Sequence, residues 1–271
     1  PSRDFIIKVI EDIDDKRAGK RKSGLSTGFR TLDKMTGGFK NSDFIIIAAR
    51  PSVGKTAFAL SIAANMIFRY HYKVGFFSLE MSGQSLMERI ISNKSEVNNM
   101  LLRNGQLDDR TYNELVDSIS RLYDDSDNLF IQDTPNIKLL EIRSQARRMV
   151  KDNGVQIIFI DYIGLIDNSS VSPLRHEQIS QASRALKGLA RELNIPIVVL
   201  SQVNRDAGKD RAPILADLRD SGAIEQDADV VMLLDDPSKR LDENNKIPDG
   251  INDNKSEKKN TQKNNSTANI T

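Results

Sequence analysis

Six short apolar runs, separated by amphipathic sequence, set narrow limits on how this chain can fold. They lie at 44–49, 74–79, 129–132, 156–162, 196–201 and 230–234. An uninterrupted apolar run of this length suits a strand buried on both faces, which belongs in a parallel sheet covered on either side. The sequence between the runs carries helical periodicity. After 44–49, Ala59, Ile62, Ala63, Met66 and Ile67 keep the i, i+3, i+4, i+7, i+8 register. Further helices are expected from about Gln84, over 138–151, and where Leu186, Leu189, Ala190 and Leu193 share a face. The alternation predicts an α/β domain with a mostly parallel central sheet flanked by helices. In such sheets, ligands gather beyond the carboxyl ends of the strands.

Composition removes several chemistries. The 271 residues include no cysteine, which excludes disulfides, thiol nucleophiles and Cys-based zinc sites. His71 and His176 are the only histidines, too few for a multi-His metal centre. With 39 Lys+Arg against 38 Asp+Glu, net charge is +1. Any grip on nucleic acid must then be local, or shared between copies of the chain. No apolar run approaches the roughly 18 residues of a membrane helix, and 1–20 lacks a signal-peptide core. A cytoplasmic, non-membrane setting is therefore expected.

Residues 1–20 read as an amphipathic helix with Ile6, Val9, Ile10 and Ile13 on one stripe. That stripe must be covered, either by its own domain or by a neighbouring copy. Three segments are expected: 1–24 as helix and hinge, 25–235 as the α/β domain, and 236–271 as a low-complexity insertion or tail. The last is rich in Asn, Lys, Asp and Ser and cannot bury enough surface to offset its ordering entropy, so it is expected to be disordered.

The strongest chemical signal is Ala49-Arg50-Pro51-Ser52-Val53-Gly54-Lys55-Thr56, between the first strand and its helix. It fits GxxxxGK[ST], the P-loop pattern, except that Ala49 occupies the first glycine position. Backbone N–H groups and a helix N-terminus offer a positive cradle to phosphate oxygens. Gly54 lets the main chain approach closely, Lys55 reaches the β- and γ-phosphates, and the Thr56 hydroxyl is suited to Mg²⁺. Three strand ends add polar groups. Asp161 suits Mg²⁺ held through water, or a cap of the next segment. Glu80 suits a base for attacking water, or a solvated strand end. Gln202 suits a γ-phosphate sensor, or an amide satisfied by backbone. In 204–222, Arg219 and Gly222 suit backbone phosphates, although composition alone also fits a solvated loop. No aromatic residue lies there, so any nucleic-acid contact would be to phosphates and insensitive to base sequence. Segment 168–177, with Arg175, reads as a second loop on the same edge.

These blocks occur in a telling order. Leu25-Ser-Thr-Gly-Phe-Arg-Thr-Leu-Asp33, the P-loop, Phe77-Ser-Leu-Glu-Met-Ser82, Ile158-Phe-Ile-Asp161 and Val199-Leu-Ser-Gln202 precede Asp217-Leu-Arg-Asp-Ser-Gly-Ala-Ile-Glu-Gln-Asp-Ala-Asp229. Together they resemble the ATPase domain of DnaB-type replicative DNA helicases, where alanine at the first P-loop position is usual. The resemblance implies a RecA-like P-loop NTPase working as a homo-hexamer, moving 5′ to 3′ on single-stranded DNA at the expense of ATP with Mg²⁺. It implies that 49–56 cradles the nucleotide, with Thr56 and Asp161 at the metal. Lys55 and Glu80 would act in catalysis, with Gln202 as sensor. It puts Arg219, Asp220 and Gly222 at the DNA backbone, Asp220 replacing a more usual glutamate. It makes 1–24 a linker helix and hinge docking on the adjacent subunit, and implies a primase and a helicase loader as partners.

Two features depart from the family pattern: the N-terminal helical domain is absent, and after 230–234 no strand with a basic finger follows. A fragment is expected, slow to hydrolyse ATP by itself. Two other readings share the P-loop core: a RecA-like recombinase or regulatory ATPase, and an ATP-bound ring scaffold that recruits primase.

Overall fold

The apolar runs become six strands: β1 (Phe44–Ala49), β2 (Val74–Ser78), β3 (Leu129–Gln132), β4 (Ile157–Asp161), β5 (Ile197–Gln202) and β6 (Val230–Leu234). A computed structural model describes residues 2–17, 24–169, 172–204, 211–218 and 222–239. The strands form one sheet in the order β3-β2-β4-β5-β1-β6, and every pairing in it is parallel. β1 and β5 are wholly apolar apart from the end of β5, and the sheet centre is fully buried.

Nine helices accompany them among the described residues. α1 (Ser2–Arg17) and α2 (Arg30–Thr36) precede β1, and α3 (Lys55–Tyr70) follows it. Between β2 and β3 lie α4 (Gly83–Ser95), α5 (Asn99–Asn104) and α6 (Asp109–Asp125). Then come α7 (Leu139–Asn153), α8 (Arg175–Leu193) and α9 (Gly222–Asp227). Side chains alternate across the strands, so each sheet face builds its own core. Ile45, Ile47, Phe76, Phe159 and Val198 join α3 and α4 on one face. Phe44, Ile46, Phe77, Ile160 and Val199 join α7 and α8 on the other.

The block at 25–33 is a structural clasp. Asp33 accepts from the Ser26 hydroxyl (2.6 Å), the Thr27 N–H (2.8 Å) and the Thr27 hydroxyl (2.7 Å). Burial works to raise the Asp33 pKa, but these hydrogen bonds outweigh it and hold the carboxyl below its ordinary value. Leu25 and Phe39 exchange backbone hydrogen bonds and close the clasp. The block at 217–229 is also partly structural. Asp227 accepts from Ser183 of α8 (2.7 Å), while Asp229 accepts from the Phe44 N–H (2.7 Å) and pairs with Lys187.

Two expectations change. Segment 168–177 is not all loop, because α8 begins at Arg175. Ser172 starts the helix: its hydroxyl accepts the Leu174 N–H, and its carbonyl accepts from Gln178. Order also persists past Asp236, as Pro237–Lys239 forms a 3₁₀ turn held by Ser238 donating to Asp236. Such a turn is stabilised locally and needs no burial. Residues 240–271 lie outside the described residues. Of the two covers expected for the α1 stripe, its own domain supplies none among the described residues, where Ile6, Ile7, Val9, Ile10 and Ile13 are 49–59% exposed.

Candidate nucleotide site

β1 delivers the chain to the sheet's carboxyl rim at Ala49, and α3 leaves it at Lys55. Two left-handed residues shape the turn between them, Ser52 (φ 65°) and Gly54 (φ 103°). A left-handed residue within a turn swings successive N–H groups to one side, forming a concave anion receptor. Gly54 caps α3 without any side-chain hydrogen bond, and the first turn carries no acidic residue. A Cβ at Gly54 would meet nothing within 4 Å among the described residues, so a ligand can approach the bare backbone there. The positive end of a 16-residue helix thus faces an open concavity.

Lys55, Thr56 and Asp161 meet at this turn. The Thr56 hydroxyl donates to Asp161 Oδ2 at 2.7 Å, and Lys55 Nζ lies 3.3 Å from Oδ1. Asp161 and Lys55 are both buried, 2% and 8% exposed. Lys55 Nζ also sits 4.3 Å from the centre of the Tyr162 ring. Asp161 Oδ1 accepts no hydrogen bond among the described residues. A buried carboxylate oxygen with only an ammonium beside it, next to a hydroxyl, suits a hard divalent cation that keeps most of its waters.

The remaining strand ends converge on the same rim. β2 pairs with β4 so that Ser78 faces Asp161, and the Leu79 N–H donates to the Asp161 carbonyl (2.8 Å). Glu80 is the next residue, and it is exposed. β5 pairs with β1 so that Gln202 lies opposite Ala49. Gln202 lines a cleft of about 210 Å³ with Tyr162, Ile163, Gly164, Arg175, Ile179 and Ser201. Beyond it, Val203 bridges to Leu218 and so closes the base of the following segment. Gly222 opens α9 and is exposed. Arg219 and Asp220 lie outside the described residues, so Gly222 alone of that trio has a position in the structure.

Sequence reasoning missed the Tyr162 ring over Lys55 and the contacts of the Arg50 side chain. Arg50 Nη2 donates to the Arg211 carbonyl (3.1 Å) and lies 3.6 Å from Asp235. Arg211 pairs bidentately with Asp217 at 2.7 and 3.0 Å. No sequence signal marks these contacts, because Arg211 and Asp217 lie well away from any strand end.

A strand–turn–helix phosphate cradle with a buried Lys–Asp–Thr group, on an all-parallel RecA-like sheet, defines a P-loop ATPase core. Residues 24–269 match the model of the DnaB-like helicase C terminal domain, and the chain belongs to that family. It is 50% identical over 211 residues to the replicative DNA helicase DnaB of Treponema pallidum, covering 78% of this chain and 48% of that protein. To its counterpart from Geobacillus stearothermophilus it is 41% identical over 252 residues, 90% of this chain and 55% of the relative. The chain therefore spans about half the length of the curated relatives it matches. Among solved structures, an isolated ATPase domain superposes with a TM-score of 0.79 at 34% identity, over 86% of this chain and 82% of that one. A DnaB-like replicative helicase, solved in a study of its interactions with primase, gives 0.76 at 35% identity, over 85% and 55%. Membership of this family implies nucleotide binding. No helix among the described residues is long and apolar enough to cross a membrane.

Proposed function

We propose that this chain is the motor domain of a replicative DNA helicase, hydrolysing ATP to move along single-stranded DNA. The observation that carries the reading is the buried Lys55–Asp161–Thr56 group at the mouth of the Gly54 turn, in a chain of this family. The backbone of 49–56 binds the β- and γ-phosphates, and Lys55 neutralises charge on the γ-phosphoryl group as it transfers. Thr56 and Asp161 hold Mg²⁺, which supplies further neutralisation of the phosphate oxygens. Glu80 accepts a proton from the attacking water. The water oxygen bonds to the γ-phosphorus, the bond from that phosphorus to the bridging oxygen breaks, and ADP leaves. Gln202 reads the γ-phosphate. Arg219, Asp220 and Gly222 contact DNA phosphates without base specificity.

The same reading divides the chain into linker helix and hinge (1–24), motor domain (25–235) and a low-complexity stretch (236–271). The motor works as a homo-hexamer, and the exposed α1 stripe docks on the next subunit. A second exposed apolar stripe, on α6, supports that docking. Tyr112, Val116, Ile119 and Tyr123 recur at i, i+4, i+7 and i+11 and are 37–77% exposed. Two different patches on one chain make a head-to-tail contact, the kind that closes rings. Primase and a helicase loader are further partners.

Glu80→Gln tests the motor reading. In the protein carrying this chain, the variant should bind ATP as the wild type does, but lose DNA-stimulated hydrolysis and duplex unwinding. Unwinding at the wild-type rate would instead favour a ring that uses ATP as a structural ligand.

A further inference from the structure

Arg50 belongs to the phosphate turn by its backbone, yet its side chain leaves that turn. Its Nη2 donates to the Arg211 carbonyl at 3.1 Å and lies 3.6 Å from Asp235, at the end of β6. The Arg50 and Asp235 side chains are only 14% and 16% exposed, so the pair is largely removed from solvent screening. Arg211 in turn clamps the buried Asp217 with its two terminal guanidinium nitrogens, and Asp217 also accepts the Ile214 N–H at 2.8 Å. The Arg211 hydrogen bonds and the Ile214 N–H hold the Asp217 carboxyl below its ordinary pKa, with the Arg50 charge contributing. The Asp217 carbonyl accepts the Asn204 N–H (2.9 Å), and Ala49 accepts the Val203 N–H (3.0 Å). The Arg50 guanidinium thus joins the phosphate turn to the β6 end and to Arg211, whose own guanidinium holds Asp217 and, through the Asp217 carbonyl, Asn204.

We propose that Arg50 is a positioning residue whose side chain ties the phosphate turn to the Arg211–Asp217 pair and transmits nucleotide occupancy to the base of the segment following β5. The proposal rests on the nucleotide reading above and goes beyond it, because Gln202 is there the only reporter. A lysine cannot replace this arginine. Both contacts are made by Nη2, and the ammonium of a lysine ends about one bond short of that position.

Backbone hydrogen exchange at Val203, Asn204, Ile214 and Leu218 tests it, with Mg²⁺ and the non-hydrolysable analogue AMP-PNP as the probe. In the wild type, saturating AMP-PNP should slow these amides by about fivefold or more, the lower end of typical coupling between sites. In Arg50→Ala and Arg50→Lys that response should disappear, while the first turn of α3 is still protected by the analogue. Asp217→Asn cuts the link from its far end, and should abolish the response with AMP-PNP affinity kept within about twofold. Should that buried substitution unfold the chain, the two Arg50 variants carry the test. A full response in Arg50→Ala overturns the proposal. So does loss of α3 protection in the Arg50 variants, which would make Arg50 part of the nucleotide site itself. If the wild type shows no α3 protection, the nucleotide reading fails first and takes the proposal with it.

Discussion

Replacing Asp161 by asparagine should make the chain bind metal-free ATP more tightly. Lys55 Nζ lies 3.3 Å from the Asp161 carboxylate, with both groups buried. Two unit charges at that separation attract by about 5 kcal/mol at an effective dielectric near 20. An arriving triphosphate must draw Lys55 away from this partner and tolerate a carboxylate beside it. The asparagine would keep the shape, and an acceptor for the Thr56 hydroxyl, but lose the charge. The Tyr162 ring, 4.3 Å away, stabilises the ammonium equally in both proteins and cancels, while the asparagine oxygen still accepts from it, worth about 1.5–3 kcal/mol. A net gain of about 2–3.5 kcal/mol remains, or roughly 30- to 300-fold in affinity. Calorimetric titration of ATP in EDTA reads this directly. With Mg²⁺ present the gain should vanish, because the same substitution removes a carboxylate from the ion. The nucleotide-free variant should also melt at a lower temperature, its lysine being buried without a counter-ion. Equal affinities in EDTA, or an equal gain with and without Mg²⁺, would refute the proposed competition for Lys55.

Asp33→Ala should destabilise the domain by about 2–4 kcal/mol in urea titrations, since it strands the buried Thr27 hydroxyl and N–H. The Asp33 pKa is lower folded than unfolded, so its contribution is complete above the ordinary carboxylate range and fades as pH falls through about 4 and below. The variant's deficit should therefore shrink in acid, and a constant deficit from pH 7 to pH 3 would count against the clasp. Ile10→Asp places a charge in the exposed α1 stripe and should lower the oligomeric mass measured by light scattering without changing the melting temperature. An unchanged mass would argue against α1 docking on a neighbour.

Legibility of the sequence followed burial. The six strands and α3, α4, α7 and α8 announced themselves through apolar runs and periodicity, because their side chains fill the two cores. α2 and α5 gave no such signal, for neither buries a residue. α6 gave little, since Leu115 is the only buried apolar side chain among its described residues while its apolar stripe faces outward. The Lys55–Thr56–Asp161 group was readable because phosphate chemistry restricts the residue types at strand ends. The Arg50 and Arg211 contacts were not, since they depend on where separate loops meet. In the 217–229 block, Asp227 and Asp229 turn out to anchor α9 and β6 on α8 and β1, a role that spacing alone does not reveal.

The most direct measurement is a crystal structure of the chain with Mg²⁺ and AMP-PNP. The triphosphate should lie against the backbone N–H groups of 52–56, with Lys55 on its γ-phosphate and well beyond its present 3.3 Å from Asp161. An analogue bound away from that turn, or a Lys55–Asp161 pair left intact beside it, would contradict the proposed motor site.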